Sequence, residues 1–188
     1  MLGRPTRGGQ AERRLDRVCG VTTLTPELER AIALGYERRD RENMAPTIAY
    51  FEDLLARHPG HPVLTYEVAG AYDSAGDEAR ARTLYERALE LGLDGEPLRR
   101  CLCQYGSTLR WLGEYDASLA VLERARAEFP DSESVRVFQA LTLNDAGRAD
   151  AAVGLLLGIV AQHGEVTDLG RYAAGLGGLA RWLQDGRP

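Results

Sequence analysis

Apolar residues recur at helical spacing in short blocks along this chain, and turn-forming residues separate the blocks. Gly76, Gly113 and Gly147 each mark a turn with an amphipathic helical pattern on either side, and Glu42 holds the equivalent place one unit earlier. These markers lie 34, 37 and 34 residues apart. A second set, Pro59, Leu93, Pro130 and Gly164, repeats the same three spacings. The pattern predicts helix pairs over 26–40 and 44–57, 62–75 and 78–91, 97–112 and 115–128, and 132–146 and 149–163. A helical hairpin of this length cannot bury its own apolar stripe and must stack on a neighbour. The expected fold is all-α, a solenoid, and solenoids display surfaces for binding.

Thr25 as N-cap, Pro26 at the first helical position and Glu27 in the first turn predict where helical order begins. Residues 1–24 read as a separate basic segment with five arginines, two acids and no apolar period, and are expected to be disordered. A single domain over 25–188 follows, with repeats at about 26–59, 60–93, 97–130 and 131–164. The extra residues of the 37-residue step fall in Leu93-Asp94-Gly95-Glu96-Pro97, predicted as a loop and internal hinge. A stripe of Leu169, Tyr172, Ala173, Leu176, Leu179, Ala180 and Leu183 predicts a capping helix over about 167–184 that covers the open face of repeat four. Gly175, Gly177 and Gly178 signal close helix approach or a frayed middle, and Trp182, off that stripe, is a candidate for self-association.

The repeats carry small residues where helices must meet: Gly35, Ala69, Gly106 and Ala140 on the first helix, Ala81, Ser118 and Ala152 on the second, with Thr47 at that position in repeat one. Phe51, Tyr85, Leu122 and Leu156 then fill the space between them. In this the chain resembles the tetratricopeptide repeat family, whose pattern is W-x2-L-G-x2-Y, then A-x3-F, then P. No unit has the initial Trp, Arg38 replaces the aromatic in repeat one and Gln139 replaces Leu in repeat four. The resemblance implies a right-handed α-solenoid of four repeats with a C-terminal capping helix. It also implies a concave groove, lined by the first helices, that receives an extended peptide or a partner helix.

Transferred to this chain, the groove positions include Tyr36 and Arg39 in repeat one, Tyr66, Glu67 and Asp73 in repeat two, Arg100, Gln104 and Arg110 in repeat three, and Asn144 in repeat four. The tyrosines offer large contact area at low entropic cost, and the arginines can fork onto carboxylates or phosphates. The family's two-carboxylate clamp for chaperone tails is not matched: its places hold Ile32, Tyr36, Glu67, Arg100 and Gln104, and only Arg100 suits. Trp111 is expected to pack under the following turn.

Charge narrows the partner class. The net charge is −5 with pI near 5.3, which argues against a general nucleic-acid binder. All 23 basic residues are arginine. The three cysteines form no disulfide framework, and Cys101 and Cys103 diverge on one helix. His58, His61 and His163 read as solvated loop residues with no ligand at metal spacing. With no apolar run long enough to span a bilayer and no secretory h-region, the chain reads as cytoplasmic and not membrane-bound. The expected function is a non-catalytic protein–protein interaction module with a protein or peptide partner and no cofactor, metal or nucleic acid. The alternative is a self-associating scaffold, a homodimer formed through the terminal helix or the groove.

Overall fold

The computed structural model describes residues 24–163 and 172–184. The expectations for the segment 1–24 up to residue 23, and for Gly164 and Leu169, lie outside the described residues. Among those described, the helices are α1 (Pro26–Glu37), α2 (Ala45–Arg57), α3 (Pro62–Ser74), α4 (Glu78–Glu90), α5 (Gly95–Trp111), α6 (Tyr115–Glu128), α7 (Glu133–Asp145), α8 (Ala149–His163) and α9 (Ala173–Gln184). They form an α-solenoid of helix–turn–helix repeats: each odd helix through α7 pairs with the next even one, and the pairs stack in order. No described helix is long and apolar enough to cross a membrane.

Local chemistry explains most helix ends. Thr25, Asp77 and Ser132 each accept a backbone N–H through a side-chain oxygen, at 3.3, 3.2 and 3.4 Å. His61 caps α3 in the same way, its Nδ1 accepting from Leu64 N at 3.5 Å ahead of Pro62. It is therefore a structural residue rather than a solvated one, and burial and the nearby His58 lower its pKa. Gly76, Gly113 and Gly147 take φ values of 80°, 76° and 75°, a left-handed turn that a side chain would strain. Glu42 cannot do this cheaply, and α1 ends early, at Glu37. An Asx-type contact from Glu42 N to Asp40 Oδ1, 2.9 Å, shapes the longer connection instead.

The interior follows the small-into-large pattern. A Cβ built on Gly35 would sit 2.6 Å from Phe51 Cζ, and one on Gly106 would sit 2.7 Å from Leu122 Cγ. Ser118 is fully buried and donates to the Gly106 carbonyl at 2.6 Å, and its hydroxyl also pairs with Thr142 across the repeat seam. One continuous core runs from Leu28 in α1 to Val135 in α7. Repeat four adds only a small separate cluster of Ala140, Leu143, Ala152 and Leu155.

Two sequence expectations change. The predicted loop at 93–97 is mostly helix, since α5 starts at Gly95 and runs 17 residues. Arg99 secures that start, bonding Glu96 through two nitrogens, and it also reaches Ser134 Oγ of α7 at 2.6 Å. The terminal helix α9 forms, but it does not cover the end face of repeat four. It runs along the Gly154–Gly158–Ala161 side of α8, where a Cβ at Gly154 would meet the Ala180 carbonyl at 2.7 Å. The corresponding residues of the earlier units, Thr83, Arg87 and Glu90 in α4 and Ala120, Arg124 and Ala127 in α6, are exposed. Glycine on α8 opens an outer track that side chains close elsewhere, and α9 takes it.

Candidate functional site

The first helices α1, α3, α5 and α7 place their polar residues on one face, and those residues bond across the seams between repeats. Tyr36 of α1 donates its hydroxyl to Glu67 of α3. Asp73 of α3 accepts from Thr108 of α5 at 2.8 Å and from the Tyr85 hydroxyl at 3.4 Å. Tyr85 also reaches Gln104 Oε1 at 3.1 Å. Arg110 of α5 bonds Asp145 of α7 at 2.6 Å, and Asn144 supports that carboxylate at 3.3 Å. The face is a polar ladder running the length of the array.

One rung differs from the others. Glu67 is only 7% exposed, a carboxyl on a helix otherwise buried among apolar residues. Burial pushes its pKa up to about 7, although the Tyr36 hydroxyl bond and the charges of Arg100 and Arg39 act to lower it. Burial first, and the Glu67 charge second, raise the Tyr36 phenol. Tyr36 nevertheless keeps 42% of its surface exposed, and the Arg39 guanidinium lies 5.7 Å from its ring centroid. Arg100 is exposed and braced by Glu96 at 3.0 Å. Three successive first helices thus converge on one buried carboxyl ringed by two cations and a phenol.

The expected groove residues therefore fall into different situations. Tyr36, Arg39, Glu67 and Arg100 gather in the cluster just described. Tyr66 is buried beneath it, its ring 6.3 Å from that of Tyr85, and it is core rather than surface. Asp73 and Gln104 meet through Tyr85, while Arg110 and Asn144 share Asp145. Arg110 Nε is also buried without a hydrogen-bond partner. Trp111, expected to pack under a turn, is exposed, with the Arg110 guanidinium 4.8 Å from its ring centroid. Sequence reasoning missed Thr108 and the hydroxyl of Tyr85, because an aromatic at a core position gives no sign that its polar tip reaches a neighbouring repeat.

A separate cleft of about 690 Å³ lies among α2, α3 and α4, with Leu55, Val68 and Leu84 on its walls. Glu52, Tyr72 and Arg80 close on one another there: the Tyr72 hydroxyl donates to Glu52 at 2.6 Å, and the Arg80 guanidinium stacks 4.3 Å from the Tyr72 centroid. This cleft is not part of the polar ladder.

A stack of helical hairpins with a polar, side-chain-rich face along its first helices is the architecture of an interaction scaffold. The family model described as Tetratrico peptide repeat matches residues 62–179, and the chain belongs to that family. Solved structures that share the fold include two forms of MamA. MamA 41-end from Desulfovibrio magneticus RS-1 is 17% identical, with a TM-score of 0.57 over 88% of this chain and 99% of that one. The MamA RS-1 ArsTM double mutant is 16% identical, with a TM-score of 0.57 over 87% and 97%. No curated protein matches the chain.

Proposed function

We propose that the face formed by α1, α3, α5 and α7 binds a peptide segment or helix of a partner protein, without catalysis. The observation that supports this most is the convergence of Tyr36 and Arg39, Glu67, and Arg100 from three repeats onto one accessible spot. Arg39 and Arg100 offer planar donors to an acidic side chain of the partner, and the exposed edge of Tyr36 offers contact area. Glu67 sits beneath them and can lower its own charge by taking a proton, so an incoming carboxylate does not have to meet a fixed negative charge.

Selection from a displayed peptide library against the full chain tests this reading. The selected peptides are expected to carry an acidic residue beside an apolar or aromatic one. Arg39→Ala and Arg100→Ala are each expected to weaken them about tenfold in fluorescence anisotropy, the loss typical of one interfacial charged contact. Higher salt should narrow the difference. Selected peptides indifferent to both replacements would remove the proposal.

A further inference from the structure

The surface on which repeat four would receive a fifth repeat is open. In the earlier units the large residue of the second helix is buried in the seam: Phe51, Tyr85 and Leu122. Its counterpart in repeat four, Leu156, is 42% exposed. The first helices show the same contrast. Ile32, Tyr66 and Cys103 are buried, whereas their counterpart Val137 is 37% exposed. Leu141 and Val160 are exposed beside them. Because α9 lies along the outer side of α8, no described helix covers this stacking surface.

We infer that this end face, centred on Leu156 and Val160 of α8 and Val137 and Leu141 of α7, is a docking surface for a second copy of the same chain. It is paired face to face about a two-fold axis. The inference does not rest on the peptide-binding reading, whose cluster of Tyr36, Arg39, Glu67 and Arg100 lies in repeats one to three, whereas this face lies on repeat four.

Several observations select that occupant. Between Ala151 and Gln162, α8 carries no charged residue, so two acidic chains can meet there without like-charge repulsion. Among the described residues the opposite end of the array is the more charged one, with Glu27, Glu29 and Arg30 exposed on α1, and is a poorer match for an apolar face. Head-to-tail stacking, which would produce open filaments, is thereby disfavoured and a closed pair favoured. Residues 1–23 carry five arginines and two acids, a composition unsuited to covering an apolar patch. The self-complementary partner is the same face, as a polar cap would otherwise be required at the end of a solenoid.

Sedimentation equilibrium of the full chain across the micromolar range tests the inference. A reversible monomer–dimer equilibrium is expected. Leu156→Arg and Val160→Arg are each expected to raise the dimer dissociation constant at least ~30-fold, as loss of a central anchor does. Leu179→Arg on α9 should leave it unchanged. Circular dichroism melting separates a lost interface from a lost fold. A second measurement uses a nitroxide on Val153→Cys in a Cys19→Ser background, where Cys101 and Cys103 are buried and do not compete. A short inter-protomer distance, abolished by Leu156→Arg, is expected. A monomer at every concentration, assembly that grows without limit, or a dimer indifferent to Leu156 and Val160 would overturn the inference.

Discussion

Tyr85→Ala is expected to lower stability by about 4 kcal/mol, the loss typical of truncating a fully buried aromatic. For a chain of this size that corresponds to a fall in Tm of roughly 12 °C. Tyr85 is completely buried, with its ring 6.3 Å from Tyr66 and 6.1 Å from Tyr105. Its hydroxyl reaches Gln104 and Asp73, so one side chain joins repeat two to repeat three by both packing and hydrogen bonds. In a solenoid, stability is a sum of units and nearest-neighbour interfaces. Damage at this seam should therefore split urea unfolding into two transitions instead of merely shifting one. Tyr85→Phe keeps the ring and should cost about 1 kcal/mol, the net value of its hydrogen bonding. A single sharp transition in Tyr85→Ala, close to the original midpoint, would contradict this account of the seam.

Glu67→Gln is expected to stabilise the protein at neutral and higher pH, by an amount that grows with pH. The folded chain holds the Glu67 proton more tightly than an unfolded chain does, about 7 against an ordinary 4.5. Below about pH 4.5 the carboxyl is protonated in both states and opposes nothing. As pH rises from there through 7, the folded state must accept a buried charge, and stability is lost. The full shift corresponds to about 3 kcal/mol. Glutamine keeps an oxygen for the Tyr36 hydroxyl and never ionises. The gap between the two proteins in urea should be near zero at about pH 4 and reach ~3 kcal/mol in favour of glutamine at about pH 8. Glu96, Glu86 and Asp145, whose pKa values are lowered by hydrogen-bonded arginine or tyrosine, titrate alike in both and cancel. A gap that stays flat with pH would show that Glu67 is not the buried carboxyl described.

The helical spacing of apolar residues and the spacing of the turn glycines make the helical array legible in the sequence, because stacking forces every unit to reuse the same small and large positions. Gly35 against Phe51 and Gly106 against Leu122 are that rule in atomic form. Other features depended on contacts outside any one helix. The burial of Glu67 and Tyr66 arises from neighbouring repeats on both sides, and pattern within α3, which is apolar almost all round, cannot reveal it. Asp73 and Arg110 stood on the expected face, yet their partners Thr108 and Asp145 lie 35 residues away. The seat of α9 was likewise hidden. Its stripe specified that it must cover an apolar surface, while Gly154 and Gly158 of α8 decided which one.

Hydrogen exchange on the full chain with a selected peptide tests the central claim, that the first-helix face is the binding surface. Protection is expected in α1, α3 and α5 around Tyr36, Glu67 and Arg100, with α2, α4 and α6 unchanged. Protection confined to the second helices, or to the cleft bounded by Leu55, Val68 and Leu84, would contradict it.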